Sequence, residues 1–366
     1  MTWTVVPAAC LAERAAAWDG LQARTTDTPF LSTDFLLPAL AEFGNGREVL
    51  ALHHHAGQLD AAALVRPAGR GMWETFQPSQ LPLGAWVCAA DADVADLARR
   101  LLPSLPGLGG LAWGLGLTQL DPRLNPRPAE AAGVRTLDYI ETSFIDIEGS
   151  FDAYWESRGK NLRQNTRKQR NKLAAENTTV TLETITDPAA VASALAEYGR
   201  LETTGWKAGG GTAIHPDNAQ GRFYAAMLQG FCARGHGRIV RLRFGDDTVA
   251  MDLCIDNGPL VVVLKTAYDE RLKSVSPSTL MRQDEFAAWW GEGRFKRIEF
   301  YGKTMEWHTR WTATGRTLYH ANVYRWPWLK GLHEQLQRRR ASASASAPAA
   351  VGTAAAPAPG ATAEVA

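Results

Sequence analysis

The chain has 366 residues, enough for two domains of ordinary size, and its composition of 45% hydrophobic and 21% charged residues excludes global disorder. The formal net charge is +1 at pH 7, so bulk electrostatics gives no reason to expect DNA or a membrane surface as a partner. The four cysteines form no Cys-x-x-Cys pair, the N-terminus lacks the pattern of a secretory signal, and no apolar stretch reaches membrane-spanning length. These features predict a cytoplasmic protein with reduced cysteines and no transmembrane segment.

The first half of the chain, residues 1–148, alternates helical and extended patterns. Helical patterns cover residues 8–23, 28–38 and 91–102, and strand patterns cover 48–54, 60–66, 111–117 and 135–147. The strands at 48–54 and 60–66 flank Ala56-Gly57, which predicts a hairpin. The alternation predicts a first domain of α/β or α+β type.

Three adjacent histidines, His53 to His55, lie in one of these predicted strands. Successive side chains of a strand point to opposite faces, so the three imidazoles cannot converge on one metal ion. No cluster of cysteines or acids with ligand spacing accompanies them. We therefore expect no metal site.

The second half begins with a short helix at 151–157 and a strongly basic helix at 158–173. At 100° per residue, four cations of the basic helix share one face and have no acids among them. They are Lys160, Arg163, Arg167 and Arg170. Two interpretations stay open: a solvated basic face, or a clamp that binds an anionic acceptor through its phosphate or carboxylate.

A strand at 178–186, a helix from Asp187 to Thr204 and a helix at 223–234 come next. The glycine-rich loop at 205–211 is not a phosphate-binding P-loop, because it lacks the Gly-Lys-Ser/Thr ending and does not lead from a strand into a helix. It carries Trp206 and Lys207, which we assign to acceptor binding.

Residues 237–290 form the centre of the second half. Three β-branched runs, 238–244, 248–255 and 260–266, are joined by short connections rich in Asp and Gly, which predicts an antiparallel meander. A long helix then begins at Ser276-Pro277, where Ser276 suits the N-cap and Pro277 suits the first helical position. The free N–H groups and partial positive charge of this helix end would bind the phosphate of an anionic cofactor.

Beyond this helix the sequence predicts a strand at 295–301, a helical turn at 303–311, a strand at 318–325 and a helix at 328–338. The last residues are mainly Ala, Ser, Pro and Gly, which cannot bury enough apolar area to offset their ordering entropy. We therefore predict domains at 1–148 and 149–340, and a disordered tail at 341–366.

The order of strand, helix, helix, three-stranded meander, helix and strand resembles the GNAT acyltransferase fold. Three motifs sharpen the resemblance. They are the basic helix from Arg163 to Leu173, Leu201-Glu-Thr-Thr-Gly-Trp-Lys207, and Lys265-Thr-Ala-Tyr-Asp269 with the later Ser276-Pro-Ser278 and Phe300-Tyr-Gly-Lys303. Over residues 151–328 the chain resembles the CelD/BcsL-like acetyltransferases of bacterial cellulose and exopolysaccharide clusters, which are relatives of the FemAB peptidoglycan aminoacyl transferases.

The resemblance implies two tandem GNAT-like domains, each a mixed, mostly antiparallel sheet flanked by helices, with the cofactor site in the second domain. Many GNAT enzymes have a glycine-rich loop at the cofactor pyrophosphate, whereas this chain has a different segment and Ser278 where relatives commonly have Gly. We assign the whole segment to cofactor binding: Lys273, Ser274, Val275, Ser276, Pro277 and Ser278. The resemblance implies acetyl-CoA or another acyl-CoA as co-substrate, and acyl carrier protein or aminoacyl-tRNA stays open as the carrier.

Acyl transfer to an amine or hydroxyl requires a base for the acceptor proton, donors for the developing oxyanion and an acid for the departing thiolate. Lys265, Tyr268 and Asp269 end the third strand of the meander, beside the proposed phosphate site. We assign all three to catalysis, Asp269 as the candidate base and Tyr268 as the candidate acid, with a turn of solvated polar residues as the alternative. Asp252 lies inside an apolar strand, where burial would raise its pKa, and is the reserve base.

Tyr301 and Lys303, with Trp307 and His308, follow the next predicted strand. We assign Tyr301 and Lys303 to the acceptor pocket. The aromatic side chains also fit a core, which is the preferred interpretation of Trp307.

The sequence thus predicts a GNAT-type N- or O-acyltransferase. It would move an acyl group, acetyl in the simplest case, from acyl-CoA to an amine or hydroxyl of a sugar, a sugar nucleotide or a cell-envelope or exopolysaccharide precursor. Two alternatives stay open: aminoacyl-tRNA-dependent transfer, as in FemAB relatives, and a non-catalytic GNAT scaffold in a polysaccharide synthesis system.

Overall fold

The computed structural model of the chain describes residues 2–203 and 213–335. These residues form two compact units. The first unit contains residues 2–33, 44–140 and 317–335, and the second contains residues 34–43 and 141–316. The domain limits predicted from the sequence stay a prediction. The predicted tail at 341–366, Trp206 and Lys207 lie outside the described residues.

The helices and strands are numbered in chain order. The helices are α1 (Ala15–Arg24), α2 (Thr33–Phe43), α3 (Val94–Leu101), α4 (Phe151–Glu156), α5 (Lys160–Ala175), α6 (Val191–Thr203), α7 (Ala219–Ala233), α8 (Pro277–Glu292), α9 (Glu306–Trp311) and α10 (residues 327–335). The strands are β1 (Thr2–Pro7), β2 (Val49–His55), β3 (Gln58–Gly69), β4 (Met72–Thr75), β5 (Trp86–Cys88), β6 (Gly114–Leu120), β7 (Val134–Asp146), β8 (Val180–Ile185), β9 (Gly237–Phe244), β10 (Asp247–Asp256), β11 (Leu260–Tyr268), β12 (Arg297–Glu299) and β13 (Gly315–Tyr324).

In the first unit the strands pair in the order β1-β2-β3-β4-β6, and β13 pairs with β6. Of these pairings, only that of β4 with β6 is parallel. The predicted hairpin is formed by β2 and β3, where His55 lies opposite Gln58. Ala56 and Gly57 between them both have positive φ, as a tight two-residue hairpin turn requires. The core of this unit lies against the sheet and includes the fully buried Trp86.

In the second unit the strands pair in the order β12-β11-β10-β9-β8, and the end of β7 pairs with β12. Strands β9, β10 and β11 form the predicted antiparallel meander, whereas β11 and β12 are parallel. Lys265 of β11 pairs with Glu202 of α6, while the next residue, Thr266, accepts a hydrogen bond from Arg282 of α8. Because neighbouring side chains of a strand point to opposite faces, α6 and α8 cover opposite faces of this sheet.

Each unit is therefore a mixed, mostly antiparallel sheet flanked by helices, which confirms the predicted fold class. The predicted lengths of some elements are wrong. Residues 8–23 do not form one helix, since a 3-10 turn at Ala8–Arg14 precedes α1. The strand predicted at 295–301 is shortened to β12, because the backbone turns sharply at Tyr301, which has a φ of 52°.

Helix α8 begins at Pro277 as predicted, but the assignment of Ser276 as a capping side chain is wrong. A capping serine needs extended backbone angles, whereas Ser276 is left-handed, with φ 47° and ψ 61°. Its hydroxyl therefore accepts a hydrogen bond from Gln169 of α5 at 3.1 Å instead of capping the helix. At the other end, Gly293 takes the left-handed conformation that commonly ends a helix.

Candidate active site

Strands β11 and β12 lie side by side for only three residue pairs, from Leu260–Arg297 to Val262–Glu299. Beyond them β11 continues to Tyr268, paired with β10 alone. Within the part of the chain that the structure describes, the other edge of residues 263–268 has no strand partner. Such an edge presents N–H and C=O groups to which an extended ligand can bind.

Lys265 lies on the face of β11 that α6 covers. Its Nζ is 3.1 Å from Oε1 of Glu202 and 5.5 Å from the ring centre of Tyr224. The other oxygen of Glu202 accepts a hydrogen bond from the backbone N–H of Ile214 at 2.8 Å. The structure thus places Lys265 in a largely buried ion pair that joins β11 to α6, on the opposite face of the sheet from Thr266.

Asp252 of β10 lies directly opposite Thr266 and is fully buried, on the face that α8 covers. Its carboxyl group interacts with that of Glu285 of α8, which is also buried. Burial raises the pKa of both groups, and the neighbouring carboxyl raises that of Glu285 further. Among the described residues neither oxygen of Asp252 has a partner that meets hydrogen-bond geometry, so its charged form is poorly stabilised where it lies.

Arg282 connects this acid pair to an aromatic cluster beyond the end of β12. Its Nη2 donates to Oγ1 of Thr266 at 2.7 Å, and its guanidinium carbon lies 4.0 Å from the ring centre of Trp307. Trp307 stacks on His308 with ring centres 3.5 Å apart, and Phe300 packs edge-on against both. Side chains from β11, α8, α9 and the end of β12 therefore meet just beyond the last residue pair of β11 and β12.

His308 is uncharged in this cluster. Its Nδ1 accepts a hydrogen bond from the backbone N–H of Met305 at 2.9 Å, which leaves the ring proton on Nε2. The pKa of His308 is lowered to about 3, mainly by burial and to a smaller extent by the positive charge of Arg282. At neutral pH His308 is thus a hydrogen-bond donor at Nε2 and not a cation.

The two residues assigned to the acceptor pocket differ in exposure. Phe300, Tyr301 and Gly302 form a tight turn in which the N–H of Gly302 donates to the carbonyl of Phe300 at 2.7 Å. Tyr301, at the centre of the turn, is buried and has a φ of 52°, a strained conformation of a kind that clusters at functional sites. Its ring lies 5.0 Å from the guanidinium of Arg316, whereas Lys303 is exposed.

Asp269 and Tyr268 lie at the end of β11. The Asp269 carboxylate accepts hydrogen bonds from Nε of Arg271 at 3.0 and 3.2 Å, from Nη2 at 2.7 Å, and from the backbone N–H of Arg271 at 3.0 Å. The side-chain bonds from Arg271 hold the pKa of Asp269 below its ordinary value, so Asp269 is a weaker proton acceptor than Asp252. Burial raises the pKa of Tyr268, which keeps its phenol protonated, and its role as the acid stays a prediction.

The segment assigned to the cofactor phosphates forms the 3-10 turn Glu270–Val275 and the start of α8. Its exposed members are Lys273 and Ser274, and its buried members are Val275 and Pro277. The carbonyl of Ser276 accepts from the N–H groups of Thr279 and Leu280, but the N–H of Ser278 has no acceptor among the described residues. This N–H and the positive end of the α8 dipole fit a phosphate group.

The predicted basic face of α5 lines a surface groove of about 520 Å³ that also borders α4 and α8. Its charged side chains and its aromatic wall are Lys160, Arg163, Arg167, Arg170, Glu156 and Trp155. Arg170 donates to Gln283 at 2.9 Å and pairs with Asp284 at 2.5 Å, both on α8. Arg170 therefore anchors α5 to α8.

The other cations of the groove are less engaged by the fold. Arg163 forms an ion pair with Glu156 of α4. Neither Lys160 nor Arg167 has an ion-pair or hydrogen-bond partner in the described part of the chain, and both are exposed. The structure thus leaves two cations of the predicted face available to a ligand.

Three residues of this site were missed from the sequence: Thr266, Arg282 and Glu285. Arg282 and Glu285 are three residues apart and so lie on one face of α8. Nothing local in the sequence shows that this face meets Asp252 on β10. The available signal was a pair of charges on a helix that follows an apolar meander, since buried charges require partners.

Residues 160–309 match the model of a family described as an acetyltransferase (GNAT) domain. The matched region includes the point where β11 and β12 separate and the start of α8. No curated protein matches the chain.

Solved structures with the same fold cover most of the chain. One is the C-terminal domain of a protein assigned as a lysylphosphatidylglycerol synthetase from Agrobacterium fabrum, with 14% identity, a TM-score of 0.54, and coverage of 85% of this chain and 92% of that one. FemX matches with 9% identity, a TM-score of 0.52, and coverage of 85% and 97%. A conserved protein of unknown function from Bacteroides thetaiotaomicron VPI-5482 matches with 14% identity, a TM-score of 0.52, and coverage of 88% and 99%. At these identities the likeness shows the fold alone.

Among the described residues, no helix combines the length and apolar character needed to span a bilayer. No three of the described His, Cys, Asp and Glu side chains are grouped closely enough to hold a metal ion, and in the histidine run His53 binds Asp60 at 2.7 Å.

Proposed function

We propose that the chain is an acyltransferase that moves an acyl group, acetyl in the simplest case, from acyl-CoA to an amine or hydroxyl of a sugar, a sugar nucleotide or a cell-envelope precursor. The observation that carries the proposal is the edge of residues 263–268, which has no strand partner among the described residues, in the region that matches a GNAT domain and contains the start of α8. An extended thioester arm would lie along this edge. The N–H of Ser278 would bind a phosphate of the carrier.

The proposed reaction needs no redox partner. The acceptor nitrogen or oxygen attacks the thioester carbonyl, a C–N or C–O bond forms, and the C–S bond breaks. The acceptor proton passes to an ionised member of the Asp252–Glu285 pair, across the ladder from Thr266 of β11, while Tyr268 protonates the departing thiolate and is reprotonated by solvent. The Nε2–H of His308 and the guanidinium of Arg282 are the donors available for the oxyanion.

The direct test is a measurement of thiol release from acetyl-CoA in the presence of a panel of amino sugars, sugar nucleotides and peptidoglycan precursors. Acceptor-dependent release of coenzyme A, with an acylated product identified by mass spectrometry, supports the proposal. Tight binding of acetyl-CoA without any transfer across the panel would favour the non-catalytic scaffold.

Aminoacyl-tRNA-dependent transfer is the second candidate, because α5 carries six Lys and Arg residues and no acids. A nucleic acid bound by this helix would show affinity that falls steeply with salt, since each neutralised phosphate releases a counterion. Binding of charged tRNA with such a slope, together with no binding of coenzyme A, would replace the first candidate by the second.

A further inference from the structure

The groove on α5 is lined by four cationic side chains, and only two of them are paired with other described residues. Arg170 is bound to α8 and Arg163 to Glu156, whereas Lys160 and Arg167 have no partner within the described ranges. Like charges three and four residues apart on a helix repel each other, so this face costs helix stability. A concave surface of one sign attracts and concentrates ligands of the opposite sign. These facts favour a bound anion over a solvated face.

Trp155 gives the groove a second chemical feature. Its indole is almost parallel to the ring of Phe151, with centres 6.2 Å apart, and it also packs against the fully buried Trp311, 5.9 Å away. These contacts hold the indole in one orientation as part of the groove wall. Flat heterocycles stack on aromatic side chains of this kind, and amide side chains such as Asn171, also in the lining, form hydrogen bonds with their edges.

We propose that the groove binds a nucleoside diphosphate, with the diphosphate on Arg167 and Lys160 and the base against Trp155. The volume of about 520 Å³ is in the range of small-molecule sites. Two kinds of ligand carry such a group: coenzyme A, in its adenosine phosphate part, and a sugar nucleotide, in its nucleotide part. The inference deepens the proposed function and rests on it for the source of the ligand. Binding is measured without acyl transfer, so the two can fail separately.

The test is isothermal titration of the full chain with ADP, 3′,5′-ADP, UDP-N-acetylglucosamine and inorganic pyrophosphate. Arg167→Gln should lower the affinity for whichever nucleotide binds by about 10- to 150-fold, the loss expected for one charge-assisted contact. Lys168→Gln is the matched control, because Lys168 is the exposed neighbour on the same helix and does not line the groove. It should change the affinity less than threefold, and melting temperatures check that both variants fold.

Two more variants separate the parts of the ligand. Glu156→Gln removes a negative charge and releases Arg163, so it should tighten nucleotide binding. Trp155→Leu should lower the affinity for the nucleotide but leave the affinity for inorganic pyrophosphate unchanged. Tight binding of 3′,5′-ADP, displaced by coenzyme A, identifies the acyl donor as the source and would move its phosphates from the start of α8 to the groove. Tight binding of UDP-N-acetylglucosamine identifies the acceptor as the source and leaves the site at α8 unchanged.

Three results would overturn the inference. The first is that no nucleotide binds at millimolar concentration. The second is an equal loss of affinity in Arg167→Gln and Lys168→Gln. The third is pyrophosphate binding as tight as that of the nucleotides, which would reduce the groove to a simple anion site.

Discussion

The carboxyl group of Asp252 makes the unfolding free energy depend on pH in a defined direction. Burial raises its pKa in the folded chain, so the folded state retains a proton that the unfolded state loses above about pH 4. The wild type therefore loses stability as the pH rises from about 4 through the raised pKa. Asp252→Asn has no such proton to lose. We expect it to gain stability relative to the wild type over this range, by up to about 1.4 kcal/mol per pH unit, in urea unfolding at several pH values.

Asp269→Asn is the matched contrast. The bonds from Arg271 lower the pKa of Asp269, so its contribution to stability is present above its unfolded pKa and is lost as the pH falls. The stability difference of this variant should therefore be largest near neutral pH and vanish in acid. Identical pH profiles for the two variants would contradict the opposite directions of the pKa shifts of Asp252 and Asp269.

The backbone conformation of Ser276 predicts that Gly stabilises the chain more than Ala at this position, the reverse of their usual order in stability. Ser276 has a φ of 47°, which costs a residue with a Cβ about 1 kcal/mol or more relative to Gly. Ser276→Gly and Ser276→Ala lose the same hydroxyl contact with Gln169, so their difference reports the backbone alone. We expect the Gly variant to be more stable by about 1 kcal/mol in urea unfolding. Equal stability, or a more stable Ala variant, would contradict the left-handed conformation.

At the scale of the elements, the ion pair of Lys265 and Glu202 fixes β11 to α6. Removing one partner of a buried ion pair typically costs about 3–5 kcal/mol. Lys265→Met should therefore destabilise the chain strongly. Lys265→Met with Glu202→Gln should be more stable than Lys265→Met alone, because the remaining charge is gone and the Gln carbonyl still accepts from Ile214.

The same double variant tests whether Lys265 also takes part in catalysis. A purely structural Lys265 predicts that acyl transfer returns as stability returns. Restored stability without restored activity would support the catalytic assignment made from the sequence. Additive stability effects of the two substitutions would contradict the ion pair itself.

The elements differ in how far the sequence determines them. The meander and α8 were predicted because alternating apolar residues, short turns and Pro277 are local signals. The burial of Asp252 followed from its apolar strand, and the raised pKa confirms that expectation. The partnership of Asp252 with Glu285 could not be predicted, because it depends on the face that α8 turns to the sheet. The failed cap at Ser276 has the same origin, since its backbone angles are set by the turn before α8.

For the molecule as a whole, a ligand that binds only the folded state raises stability by mass action. Coenzyme A at 100 times its dissociation constant should stabilise the chain by about 2.7 kcal/mol. The melting temperature should then rise with coenzyme A concentration. An unchanged melting temperature at saturating coenzyme A would argue against acyl-CoA as the carrier.

The central claim is that the start of α8 binds the phosphates of an acyl-CoA, and the measurement that tests it most directly is the affinity of Ser278→Asp for coenzyme A. The new carboxylate would occupy the phosphate position, so binding should be abolished. The melting temperature without ligand should be unchanged, because an acid in the first turn suits the helix dipole. Ser278→Gly is the control and should bind at least as tightly as the wild type. Unchanged binding of coenzyme A by Ser278→Asp would contradict the assigned cofactor site.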